Sequence, residues 1–326
     1  MKFLITTVPF GTENRLPLDL LEKEKIEYTI NPFNKKLTES DLLNLNDNFD
    51  VIIAGTEPIT DRVIDSFRNL KFISRVGIGL DSVDLISCRK KGVQVSYTPD
   101  APSKAVAELT VSLSISLLRK VQLSNLQMHN RLWNRHYGKR LAECVVGIIG
   151  VGRIGSHLIR NLSGFGCKKI LLNDLMPAHD IQEKYNNVSW VSKEDIYSKS
   201  DIITLHVPLT KKTHNLITSK EIKTMKKDVV LINTSRGGII NESDLINALS
   251  SNLISGAAID VFEDEPYSGP LCNMENCILT SHMGSMSFDC RTKMEIEATE
   301  EAIRFYKNQT LKSPVPKEEY IIQEEF

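Results

Sequence analysis

Short apolar runs alternate with amphipathic ones, in two successive series, and this alternation limits the fold more than any other feature of the chain. In the first hundred residues KFLIT (2–6), DVIIAG (50–55), KFISRV (71–76) and VQVSY (93–97) read as strands. Between them LDLLEKEK (18–25), ESDLLNL (39–45), DRVIDSF (61–67) and DSVDLISCRKK (81–91) read as helices, with Asp81 as the N-cap of the last. Strands that alternate with helices build a parallel sheet covered on both faces. TPDAP (98–102) interrupts the series, and residues 103–129 read as one long helix that could link domains, pair with a second copy, or both. A second series starts near Val145, with VVGIIG (145–150), KILLND (169–174), DIITLHV (201–207), VVLINTS (229–235), GAAIDV (256–261) and CILTSH (277–282) as strands. The helical run 288–308 is long enough to return to the first series, and the tail SPVPKEEYIIQEEF (313–326) is left open between docking and disorder, its run KEEYIIQEE reading most simply as solvated.

Bulk properties remove several classes of function. A chain of 326 residues fits two domains. A net charge of −1 offers no basic field for nucleic acid or an anionic membrane. No apolar stretch approaches the roughly 20 residues that span a bilayer. The opening MKFLITTVPFG is cut by Thr6, Thr7 and Pro9, so it reads as a first strand and not as a signal peptide. Cys88, Cys144, Cys167, Cys272, Cys277 and Cys290 form no CxxC pair and no zinc-ligand spacing, which predicts core thiols in a cytoplasmic protein and no metal site.

Gly150-x-Gly152-x-x-Gly155 follows an apolar strand and opens a helix carrying Leu158, Ile159 and Leu162. A GxGxxG in that context suits a tight turn, close approach of backbone to a pyrophosphate, and close helix–strand packing. The first helical residues, Arg153 and Ile154, offer unpaired amides to the phosphates. The next strand ends at Asp174, placed to accept hydrogen bonds from ribose hydroxyls and to repel a 2′-phosphate, and LMPAHD after it supplies no arginine. The cofactor expected is NAD. The fold expected is α/β: two doubly wound parallel-sheet domains, Rossmann-like and flavodoxin-like, with an interdomain cleft. Residues 1–100 plus 286–326 would form the substrate domain and residues 101–285 the NAD-binding domain.

Three later strands each deliver one functional group to their carboxyl ends. VVLINTS precedes Arg236, GAAIDV leads to Glu265, and CILTSH ends at His282. Ligands of open parallel sheets bind at those ends. Arginine's planar fork suits a substrate carboxylate and the neighbouring 2-oxo oxygen. Histidine can donate a proton in reduction and accept one in oxidation. A glutamate bonded to the imidazole fixes its orientation and favours the protonated form. Taken singly, each has a bland reading as a loop or turn residue; three together on a nucleotide-binding sheet do not.

The chain resembles the D-isomer-specific 2-hydroxyacid dehydrogenase family over nearly its whole length, through RVGIGLDSVDL (75–85), AVAELT (105–110), VGIIGVGRIG (146–155), LHVPLTKKTHNLI (205–217), INTSRGGIINESDLINAL (232–249), AAIDVFEDEP (257–266) and SHMGS (281–285). The resemblance implies that Arg236, Glu265 and His282 are the catalytic set and that Val76 and Gly77 bind the substrate carboxylate through their amides. It also implies that Asp260 holds the nicotinamide carboxamide, that His206, Val207, Pro208, Thr213, Thr234 and Gly284 belong to the cofactor site, and that the enzyme is a homodimer. The N-terminal half looks most like phosphoglycerate-dehydrogenase-type members, with Arg75 as a second anchor for an acidic substrate. Ala54 and Glu57 stand where such members often carry an arginine, so the substrate expected is 3-phosphoglycerate or another acidic or hydroxylated 2-oxo acid, with Glu57 set against the phosphate. The fold is shared with NAD-sensing corepressors, but no charged or low-complexity arm suggests recruitment. Formate-dehydrogenase-like enzymes pair the histidine with glutamine, and Glu265 stands here instead. His129, His136, His157, His179 and His214 fall in no motif, and Trp133 reads as an anchor for a dimer or domain contact.

Overall fold

The computed structural model describes residues 1–45 and 48–324. Two compact units emerge, Met1–Pro102 with Met286–Phe326, and Ser103–Ser285. In chain order the first unit opens with β1 (Lys2–Ile5), α1 (Leu16–Lys23), β2 (Glu27–Ile30), α2 (Glu39–Asn44), β3 (Val51–Ala54), α3 (Asp61–Ser66), β4 (Phe72–Arg75), α4 (Leu85–Lys91) and β5 (Gln94–Ser96). The second unit runs through α5 (Pro102–Leu118), α6 (Val121–His129), β6 (Val145–Ile149), α7 (Arg153–Ser163), β7 (Lys169–Asn173), α8 (His179–Lys184), β8 (Val188–Trp190), α9 (Lys193–Lys199), β9 (Ile202–Leu205), α10 (Ser219–Ile222), β10 (Val230–Asn233), α11 (Glu242–Ser250), β11 (Gly256–Ile259) and β12 (Cys277–Leu279). The chain then rejoins the first unit as α12 (Phe288–Tyr306) and α13 (Lys317–Glu324).

Both sheets are parallel throughout. The first has the order β2-β1-β3-β4-β5, and the second β12-β11-β10-β9-β6-β7-β8. Their central strands are buried on both faces, which explains why Val51–Ala54 and Val230–Asn233 read as unbroken small and apolar runs. In the second sheet the order reverses between β6 and β9, so the glycine turn after β6 and the His206 loop after β9 lie together at the switch point.

Helix α12 belongs to the first unit because its apolar stripe repeats every four residues. Cys290, Met294, Ala298 and Ala302 are all buried along it. At its far end Phe305 stacks on Phe72 at 4.5 Å and Tyr306 meets Phe3 edge-on at 6.2 Å. Burying a side chain such as Met294 is worth about 1.5–3 kcal/mol, so the returning helix is a substantial part of that core.

Several expectations are revised. Strands β2 and β8 give no clear signal in the sequence because each is short, lies at a sheet edge, and carries too little apolar character to stand out (EYTI and VSW). The single helix expected over 103–129 breaks at Lys120, whose φ of 51° ends α5 and starts α6, a helix with no buried residue. The N-cap of α4 is Asp84, which accepts from the Ser87 amide at 2.7 Å, and not Asp81. The tail over 317–324 is a docked helix and not a solvated segment, Glu325 and Phe326 lying outside the described residues. Among the cysteines, Cys272 is exposed while the others are buried, and burial pushes the Cys88 and Cys277 thiols up to about 12.

Candidate active site

The glycine turn has a separate physical reason at each glycine. Gly150 has φ of +95°, and a Cβ there would lie 2.5 Å from the His206 carbonyl. At Gly155 a Cβ would lie 2.3 Å from the Gly150 carbonyl, so this glycine lets the helix close on the turn. Gly152, the N-cap of α7, has nothing within 4 Å of such an atom. Open space at a helix N-terminus, with Arg153 and Ile154 as the first helical residues, is what an approaching pyrophosphate requires. Asp174 accepts from the Val151 amide at 2.7 Å and the Met176 amide at 3.0 Å, which fixes this carboxylate beside the glycine turn. The residues present therefore fit a dinucleotide.

The surrounding loops are ordered by their own polar groups. Thr213 donates to the Pro208 carbonyl at 2.6 Å and accepts from the Thr210 amide at 2.7 Å, shaping the segment after Val207. His206 Nε2 bonds with Thr204 Oγ1 at 2.9 Å, and burial pushes its pKa down to about 4, so it is neutral at physiological pH. Thr234 is buried and lies 3.1 Å from the Thr110 hydroxyl. Asp260 is buried, and both of its oxygens are engaged by the segment that carries His282. It accepts from Thr280 Oγ1 at 2.6 Å and from the Met283 and Gly284 amides at 2.9 Å each.

Arg236, Glu265 and His282 stand beyond β10, β11 and β12. His282 Nδ1 lies 2.9 and 3.0 Å from the two Glu265 oxygens, and the Phe262 amide donates to the same carboxylate at 3.2 Å. Among the described residues Nε2 of His282 makes no hydrogen bond. The residue sits at φ of +50°, a conformation uncommon outside glycine, and its amide bonds to the Asp260 carbonyl at 2.8 Å, which helps hold it there. Arg236 is half-buried and donates from Nη1 to the Ser235 carbonyl at 2.6 Å, while Asn233 Nδ2 donates to the Arg236 carbonyl at 2.8 Å. Gly237 explains the pair of glycines after the arginine: a Cβ there would sit 2.0 Å from the Phe262 carbonyl. The arginine and glutamate loops can approach only across a residue with no side chain.

In the first unit the strand ends are arranged differently from expectation. The Val76 amide donates to the Ala54 carbonyl at 2.7 Å and the Gly77 amide to Thr98 Oγ1 at 2.6 Å, so neither is open to a ligand. Arg75 is buried and its guanidinium folds back onto the Val76 carbonyl, covering Gly77. Among the described residues the amides of Ile78, Gly79, Leu80 and Ser82 in this loop have no acceptor, Ile78 and Gly79 standing directly after the pair expected from the motif. The second glycine of RVGIGLD was the available signal. Glu57 is buried, accepting from Thr6 Oγ1 and, at 2.7 Å, from the Gly55 amide. Arg291 of α12 bonds Thr7 Oγ1 at 2.9 Å and Glu295 at 2.6 Å, and Glu295 in turn holds the Gly11 amide at 2.9 Å. This clamp on the loop after β1 was not legible in the sequence, because its partners are more than 280 residues apart.

A dinucleotide turn and a histidine backed by a carboxylate on one doubly wound sheet define a class, the nicotinamide-dependent oxidoreductases. The comparisons narrow it. Residues 111–284, more than half of the chain, match the family model of the D-isomer specific 2-hydroxyacid dehydrogenase, NAD binding domain. The chain belongs to that family, whose members are oxidoreductases acting on the CH–OH group of 2-hydroxy acids with NAD. It is 34% identical over 285 residues to a glyoxylate reductase of Thermofilum pendens, covering 85% of this chain and 84% of that one. It is 31% identical to a hydroxypyruvate reductase of Thermotoga maritima, covering 87% and 92%. A D-3-phosphoglycerate dehydrogenase of Methanocaldococcus jannaschii is 36% identical over 76% of this chain but 48% of its own length. Among solved structures, the TT0316 protein from Thermus thermophilus superposes with a TM-score of 0.88 at 27% identity, covering 97% of this chain and 100% of that one.

Proposed function

We propose that the protein reduces a 2-oxo acid to the D-2-hydroxy acid, and runs the reverse oxidation, with Arg236, Glu265 and His282 as its catalytic machinery. The observation that carries this reading is the pairing of His282 Nδ1 with both Glu265 oxygens, which leaves Nε2 as the proton-carrying atom. Arg236 binds the substrate carboxylate and polarises the 2-oxo oxygen. In reduction, Nε2–H gives its proton to that oxygen as charge develops on it; in oxidation Nε2 takes the proton back. Glu265 holds the ring and stabilises the imidazolium. Bound NADH supplies the hydride, and Gly150, Gly152, Gly155, Arg153, Ile154 and Asp174 are the residues that would hold its phosphates and ribose. His206, Val207, Pro208, Thr213, Thr234, Asp260 and Gly284 support the nicotinamide end.

The substrate we favour has one carboxylate and a short uncharged tail. Arg75 at the end of β4 and Arg291 of α12 are engaged, the first by the Val76 carbonyl and the second by Thr7 and Glu295. The Ile78 and Gly79 amides offer dipoles there and no net charge. A phosphorylated tail would find both of these arginines already engaged. Initial rates of NADH oxidation with glyoxylate, hydroxypyruvate and 3-phosphohydroxypyruvate test this. We expect kcat/KM for hydroxypyruvate to exceed that for its phosphate ester by about tenfold or more. A preference for the ester would restore Arg75 as a substrate anchor.

We also propose a homodimer built on the second unit. Val121, Leu126 and Met128 of α6, then Leu132, Trp133 and Tyr137, form an apolar stretch left exposed, Trp133 by 75% and Tyr137 fully. Trp133→Glu should yield a monomer by sedimentation at concentrations where the unsubstituted protein is a dimer.

A further inference from the structure

The C-terminal helix α13 has no place in the chemistry above, yet it is tied closely to the loop that follows β4. Its approach is set up by α12, where buried Glu301 accepts from the Lys312 and Ser313 amides at 3.0 Å each and turns the chain. The chain then runs beside β5, with the Tyr97 amide donating to the Ser313 carbonyl at 3.2 Å and the Val315 amide to the Val95 carbonyl at 3.1 Å. Tyr320 packs on the first unit's core, Arg89 lies 5.4 Å over its ring, and the same Arg89 pairs with Glu324. These contacts deliver Gln323 to a specific task. Its Nε2 donates to the Leu80 carbonyl at 3.0 Å and the Val83 carbonyl at 2.8 Å, and its Oε1 accepts from the Leu85 amide at 2.8 Å. Leu85 is the first residue of α4, so its amide is one of the donors that a helix leaves unpaired and that an outside group must satisfy. The Asp84 side chain already serves Ser87. One primary amide thus uses both donors and its acceptor on residues 80–85.

Leu80 is the residue next to Gly79. The segment on its other side is fixed as well, since the Ile59 amide donates to the Ser82 carbonyl at 2.7 Å and the Asp84 amide to the Ile59 carbonyl at 2.9 Å. What Gln323 adds is the hold on the Leu80 carbonyl, one residue beyond Gly79, and on the Val83 carbonyl that follows. We propose that Gln323, carried by α13, is a positioning residue for the amides of Ile78 and Gly79: it sets the loop in which they present themselves to the substrate's anionic end. This rests on the proposed reduction of a 2-oxo acid, and α13 thereby becomes part of the specificity apparatus.

The test uses the full chain with Gln323→Ala and Gln323→Glu. Amide hydrogen exchange over residues 76–85 reports the loop directly, without any turnover. Faster exchange in Gln323→Ala, confined to that segment, is the expected result, and unchanged exchange there overturns the inference. In steady-state kinetics Gln323→Ala should raise KM for the 2-oxo acid about three- to tenfold while KM for NADH stays put. Equal rises in both would mark a general loss of structure and count against positioning. In Gln323→Glu the ionised carboxylate faces two carbonyls, so the rise should be larger at pH 8 and shrink as the pH falls and the carboxyl gains a proton to donate. A pH-independent rise would contradict the hydrogen-bond account. Absence of 2-oxo acid turnover in the unsubstituted protein would count against the functional reading alone, because the exchange result stands apart from it.

Discussion

The strand ends of the two units use the same kind of residue in opposite ways. Beyond β10 to β12, buried polar groups act as scaffolding and leave reactive atoms outward: Asp260 organises the segment that carries His282, and Glu265 occupies Nδ1 so that Nε2 remains. Beyond β1, β3 and β4 the charges themselves are folded in. Glu57 holds Thr6 and Gly55, Arg291 holds Glu295 and Thr7, and Arg75 caps the Val76 carbonyl. What is left without an internal partner there, among the described residues, is backbone. On the proposed reading, one edge carries charge where the reaction needs it, and the other offers dipoles and shape, which suits selection more than chemistry. The difference also shows that an arginine at a strand end is not a substrate anchor by virtue of its place.

Paired substitutions at Arg236 and Arg75 test that contrast most strongly. Arg236→Ala should lower kcat/KM by about a thousandfold, through both KM and kcat, because a charge-assisted fork to the substrate is lost in ground state and transition state alike. Arg75→Ala should act only through the loop it caps, with a change of about tenfold or less confined to KM. Equal losses at the two positions would erase the distinction. The ratio between hydroxypyruvate and its phosphate ester sharpens it at the next level, and Gln323, with an effect of a few-fold, probes how finely the amides of Ile78 and Gly79 must be set.

Much of this was legible in the chain because the signals are local. Strand-turn-helix context identifies the GxGxxG turn, and the central strands announce themselves as apolar runs of the length a doubly buried strand needs. Arg236, Glu265 and His282 each follow such a run. Edge strands β2 and β8 lack that signal, and Lys120 breaks a pattern whose apolar residues continue past it on the exposed helix α6. The motif around Val76 and Gly77 points their amides at the substrate, whereas the structure gives them internal acceptors in Ala54 and Thr98. Whether a backbone amide is open depends on partners far along the chain, as with Thr98 for Gly77, and no residue-type pattern reports it. The same holds for Gln323, which reads as one more polar residue of an acidic tail until its three partners are seen more than 230 positions away.

The central claim is that His282 Nε2 carries the proton. Single-turnover NADH oxidation with glyoxylate, compared between the unsubstituted protein and His282→Asn at pH 7, tests it most directly, with NADH binding followed in parallel by its fluorescence. The account predicts a rate about 10²–10⁴ lower in the variant with NADH affinity unchanged. A variant that binds NADH and oxidises it at the unsubstituted rate would contradict it.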